Sequence, residues 1–109
     1  MTDWHDVCPD AELSAGECRV VDVDDVAILV TRLAESGELT ALEDLCSHDA
    51  FPLSEGEIAN DEIICPAHGA QFCLKTGNAL SAPAYEGVAI LPVRVNADGM
   101  IQVRDDRWD

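Results

Sequence analysis

Short runs rich in Val, Ile and Leu recur along the chain, each bounded by Gly, Asp or Asn, and they predict strands rather than helices. Residues 19–23 and 26–33 flank Asp24-Asp25, the spacing of a hairpin with a tight turn. Residues 39–45 follow the turn signal Ser36-Gly37, and residues 62–64 lead straight into Cys65. A run over 89–95 is joined to 100–103 through Asn96-Ala97-Asp98-Gly99, a second hairpin. Residues 11–16 are expected to form a helical turn. The pattern predicts an all-β fold, a sandwich or a small barrel. Residues 46–88 break the rhythm: most of the glycines and prolines lie there, which marks the segment as loop-rich and a natural place for function.

Neither a repeat nor a low-complexity tract interrupts the 109 residues, so a single domain over 1–109 is expected. Apolar residues make up 48% of the chain, enough for a core and too many for a disordered acidic tail. Six Lys and Arg stand against 22 Asp and Glu, a net charge of −16. Phosphate contacts need cations, so nucleic acid and anionic membranes are excluded as expected partners, and a basic protein partner is favoured. The start Met1-Thr2-Asp3-Trp4-His5-Asp6 is acidic where a secretory signal is basic. The longest apolar stretch, residues 26–30, falls far short of the ~20 residues that span a bilayer. A cytoplasmic protein is expected. An odd count of five cysteines then reads as thiols or metal ligands rather than a disulfide framework.

The candidate chemistry lies in the loop-rich segment. Cys46-Ser47-His48 is followed, after 16 residues, by Cys65-Pro66-Ala67-His68. A Cys2His2 zinc finger pairs Cys with Cys and His with His. Here each half offers one sulfur and one nitrogen, so two loops can each give one ligand to each of two metals, as a two-iron cluster with unequal irons requires. A mononuclear zinc site, or two buried Cys beside two unrelated His, is the competing reading. Cys8, Cys18 and Cys73 are expected to be small core residues, His5 a solvated terminal residue, and Trp4 to pack against the sheets.

With Gly69 following His68, these two pairs resemble the Rieske iron-sulfur motif. The flanking stretches 41–45, 52–56 and Gln71-Phe72 through Thr76-Gly77 resemble the small Rieske ferredoxins of bacterial multicomponent aromatic-ring dioxygenases. The resemblance implies an antiparallel β-sandwich with a small inserted cluster-binding subdomain at about 46–88. It implies one 2Fe-2S cluster, with Cys46 and Cys65 on one iron and His48 and His68 on the other. Ser81-Ala82-Pro83-Ala84-Tyr85 corresponds to the loop that covers the cluster. Two ferric ions, two sulfides and two cysteinates sum to zero, which is why such centres reduce more easily, at roughly −150 to +300 mV against about −400 mV for plant-type ferredoxins. The respiratory members carry two further cysteines and two hydroxyl donors to sulfur. Phe51 and Ala67, and Ala70 and Phe72, stand at those positions. Nine acids and no Lys or Arg occupy residues 33–74. Both features point to the low end of the range.

Once the cluster is served only His5 remains, too few for the mononuclear iron of a catalytic oxygenase subunit, and no Gly-rich nucleotide loop is present. The expected role is therefore a carrier and not an enzyme. It would be a monomer taking one electron at a time from an NAD(P)H-dependent flavoprotein reductase and passing it to a terminal oxygenase. The alternatives are a carrier for another client, such as iron-sulfur assembly, or a small subunit of a reductase such as assimilatory nitrite reductase.

Overall fold

The computed structural model describes residues 4–45, 52–65, 69–80 and 87–105. Among them are ten strands in three antiparallel sheets. Strands β2 (Cys18–Val23), β3 (Val26–Arg32), β4 (Leu39–Glu43) and β8 (Ile90–Leu91) form the central sheet in the order β2-β3-β4-β8. A second sheet has the order β1-β10-β9, from β1 (His5–Pro9), β9 (Val93–Val95) and β10 (Met100–Val103). The third runs β5 (Glu57–Ala59), β6 (Glu62–Ile64), β7 (Gln71–Cys73). The result is an all-β sandwich fold with no closed barrel.

Side-chain alternation along β3 and β4 divides the interior in two. Ile28 and Val30 on β3, and Ala41 on β4, face a core completed by Leu13, Leu91, Ile101 and Val103, shared with the β1-β10-β9 sheet. Leu29 and Leu42 face the other way, where they join Leu33, Leu53, Ile63, Cys65, Ala70, Phe72 and Leu74. The central sheet is thus covered on both faces, and this is why residues 26–30 read as a continuous apolar run. Two polar bonds tie the third sheet to the central one. Thr40 Oγ1 donates to the Leu74 carbonyl at 2.8 Å, and the Ala34 N–H donates to Asp61 Oδ1 at 2.7 Å.

The hairpin over Asp24-Asp25 forms as the sequence predicts, closed by the pair Val23↔Val26. Residues 39–45 form a shorter strand that ends at Glu43. The run over 89–95 is not one strand. Pro92 has no N–H to give a ladder, and the chain changes sheets there, β8 pairing with β4 and β9 with β10. Instead of a helical turn over 11–16, a single 3-10 turn spans Asp10–Glu12, held by Arg32, whose guanidinium meets the Asp10 carboxylate and donates to the Leu13 carbonyl at 2.9 Å. His5 is half-buried in β1 opposite Val103, not a solvated end. Trp4 lies under cations: the Arg94 guanidinium is 4.1 Å from its ring centroid and that of Arg104 is 5.8 Å away, a cation–π arrangement.

Both two-residue turns place L-residues at positive φ: Asp24 at 51° and Asp25 at 68°, Asn60 at 54° and Asp61 at 59°. This is the left-handed backbone region that a tight two-residue hairpin turn needs and glycine tolerates best. We expect Asp25→Gly to raise stability by about 1 kcal/mol, since it relieves left-handed strain. Asp61→Gly relieves the same strain but loses the bond to Ala34, worth about 1 kcal/mol. In calorimetric melts the first variant should gain in Tm and the second should not.

Candidate metal centre

Two loops carry the four residues singled out by spacing. The first leaves β4 and returns at the 3-10 turn Leu53–Glu55; the second joins β6 to β7. Cys65 stands at the start of the second loop. Its N–H donates to the Ala70 carbonyl at 2.7 Å, and its carbonyl accepts the Gly69 N–H at 2.9 Å. These bonds close the loop within a few residues, and Gly69 takes the positive φ of 73° that so tight a return demands. The Cys65 side chain is fully buried in the core with Leu29, Leu42, Leu53, Ala70 and Phe72. Cys46, His48 and His68, with Phe51, Ala67 and residues 81–85, lie outside the described residues.

The first loop is closed at its base by a side chain. Asp44 is buried, and its carboxylate accepts the Ser54 N–H at 2.6 Å and the Ser54 hydroxyl at 2.7 Å. The two ends of the segment bearing Cys46 and His48 are thereby held together. Leu53, beside Ser54, enters the same core as Cys65, so the bases of both loops rest on one apolar cluster. A cavity of about 310 Å³ opens at Cys65 and Gly69, with Glu55, Gly56, Glu57 and Ile64 as its other walls. Both carboxylates on that wall belong to exposed residues.

Past the segment 81–86 the chain is fixed by backbone contact. The Val88 N–H donates to the Gly77 carbonyl at 2.8 Å, and a Cβ on Gly87 would come within 2.5 Å of that oxygen. Only glycine permits this approach. Thr76-Gly77, noted in the sequence as part of the flanking pattern, therefore anchors the return of the segment that contains Pro83.

The donor set suits a mixed-ligand cluster. A thiolate buried in an apolar core is a soft ligand kept from solvent, and Ala70 and Phe72 beside it bring no hydroxyl to its sulfur. Among the described residues no group of three or more His, Cys, Asp or Glu side chains gathers. Cys8 and Cys18 pack at the margins of the two cores, half-buried rather than inside as expected. Cys73 is also half-buried, and its thiol is hydrogen-bonded by Thr76. No helix among the described residues is long and apolar enough to cross a membrane.

What spacing could not reveal is the pairing of Asp44 with Ser54. The only sign in the sequence is an acid at the end of an apolar strand, two residues before Cys46. The Thr40 bond to Leu74 left no sign, because a Thr in a strand reads as an ordinary strand former.

Comparison with known proteins agrees with this geometry. The Rieske [2Fe-2S] domain model matches residues 3–92. The 3-phenylpropionate/cinnamic acid dioxygenase ferredoxin subunit of Escherichia coli strain K12 is 40% identical over 89 residues, 81% of each chain. A chain in the complex of reduced oxygenase and oxidized ferredoxin of carbazole 1,9a-dioxygenase superposes with a TM-score of 0.84 at 32% identity, covering 94% of both chains. The ferredoxin of carbazole 1,9a-dioxygenase from Nocardioides aromaticivorans IC177 superposes at 0.83 with 28% identity, over 94% of this chain and 97% of its own.

The Thr76 bond holds the Cys73 thiol below its ordinary range, while burial, with Asp44 adding to it, pushes the Cys18 thiol up. The thiolate is the nucleophile, so at pH 8 Cys73 should take up iodoacetamide faster than Cys18. Thr76→Val should slow Cys73 and leave Cys18 unchanged, as read by peptide mass spectrometry. Equal labelling of the two thiols contradicts the assignment.

Proposed function

This chain belongs to the Rieske [2Fe-2S] domain family, and on that premise we propose that it is the electron-carrying ferredoxin component of a ring-hydroxylating dioxygenase system. The observation that carries the reading is the 40% identity, over 81% of both chains, with a dioxygenase ferredoxin subunit. Cys46 and Cys65 hold one iron, and His48 and His68 the other. The domain is one unit over 1–109 whose cluster-binding subdomain spans about 46–88. When bound, the cluster accepts and returns a single electron.

The chain's own residues do the rest. Cys65 supplies a thiolate from the apolar core, and the bonds at Gly69 and Ala70 fix the loop that leads to His68. Asp44 and Ser54 bring together the ends of the loop that carries Cys46 and His48. His48 and His68, as neutral ligands, would favour the reduced state of the iron they hold. Glu55 and Glu57, exposed on the wall of the cavity at Cys65, give that part of the molecule a negative surface. That surface suits a basic partner and speeds its encounter at low salt.

The electron comes from an NAD(P)H-dependent flavoprotein reductase and goes to the terminal oxygenase, where the ring is hydroxylated. The carrier performs no chemistry on the aromatic substrate. It works in the cytoplasm as a monomer, as suits a shuttle that must leave one partner to reach the next.

The test is reconstitution. Holoprotein is combined with NADH, a flavoprotein reductase and an oxygenase of the 3-phenylpropionate class, and the dihydrodiol is measured. Product should depend on this chain and saturate with it. His68→Cys should depress turnover at least tenfold, because an anionic ligand opposes electron uptake. A colourless protein that carries one zinc, or full turnover with the chain omitted, overturns the reading.

A further inference from the structure

Asp44 has a role that the ligand motif does not assign. The residue is 6% exposed, and both its described partners are neutral donors on Ser54. The one ion pair among the described residues joins Arg32 to Asp10, so no Lys or Arg among them sits at salt-bridge distance from Asp44. Nor is there a Lys or Arg anywhere in 33–74. A buried carboxylate with no Lys or Arg beside it among the described residues projects its charge through a medium that screens poorly.

Its position puts that charge beside the centre. Two residues of chain span at most about 7 Å, so the Cα of Asp44 stays within that distance of the Cα of Cys46 whatever path the loop takes. On its other side, Ser54 follows Leu53, which packs in the core that holds Cys65. The field of Asp44 also reaches Cys18, which packs against that same core.

Building on the ligand assignment proposed above, we propose that Asp44 is a positioning residue of the redox centre. Its carboxylate buckles the loop that carries Cys46 and His48, and its buried charge holds the reduction potential low. The two effects come from the same atoms but separate by substitution. Asp44→Asn keeps the shape and an oxygen for the Ser54 N–H while removing the charge. Ser54→Ala keeps the charge and the N–H bond while removing the hydroxyl bond.

The experiment uses holoprotein of the wild type, D44N, S54A and D44A. The midpoint potential is read by EPR-monitored redox titration, and the rate of cluster loss by the decay of visible absorbance under an iron chelator. D44N should shift the midpoint upward with unchanged g values. S54A should hold the wild-type midpoint yet lose its cluster roughly fivefold faster, the factor for one neutral hydrogen bond. D44A should do both. A D44N midpoint equal to that of the wild type overturns the charge effect, and wild-type loss rates in both S54A and D44A overturn the buckle. Should D44N fail to load, D44S against D44E carries the same comparison of charge removed and charge kept. A wild type without a mixed-ligand spectrum would bring down the ligand assignment itself, whereas a normal wild type with an unmoved D44N brings down only this role.

Discussion

The structure depends on one apolar cluster that Cys65 shares with the central sheet. Cys65 packs with Leu29 and Leu42, so the thiol proposed to hold iron is anchored in the same core that holds the strands together. A redox centre needs ligands that do not move when its charge changes, and side chains packed at crystal-like density provide that. From this follows the need to cover the central sheet on both faces: one face builds the sandwich and the other seats the loops.

Around that cluster the polar bonds occupy the points where apolar packing cannot fix direction. Thr40 with Leu74, Ala34 with Asp61, and Asp44 with Ser54 each join an element of the central sheet, or its end, to the β5-β6-β7 region. The first and the last are withdrawn from water, where an unmade bond costs more than a made one contributes. They specify orientation, while Leu, Ile and Phe supply the bulk of the driving force. The Gly77–Gly87 approach fixes the return of the remaining segment by backbone alone.

Much of this was legible in the sequence, for identifiable reasons. The β2-β3 hairpin announced itself because Asp24-Asp25 separates two long apolar runs, and β10 because the turn at Asn96 and Gly99 precedes it. Three-residue strands such as β5 and β7 are too short to show a period, and β1 hides its pattern behind Pro9 and Asp6. The division of 89–95 was foreseeable from Pro92; what sequence could not say is that the two halves join different sheets. For the centre, residue type and spacing pointed to Cys65, since ligand chemistry is written in the side chains themselves. The residues that position it were invisible, because Asp44, Ser54 and Thr40 act through partners that only the fold brings near.

The central claim is that two thiolates and two imidazoles from this chain share one two-iron cluster. Electron spin echo modulation of the dithionite-reduced holoprotein tests it most directly, since the unpaired spin resides partly on the iron that bears the nitrogens. The account predicts strong coupling to two histidine nitrogens, which changes pattern when the protein is grown on 15N-histidine. A reduced signal with no directly bound nitrogen, or no paramagnetic signal at all, would contradict it.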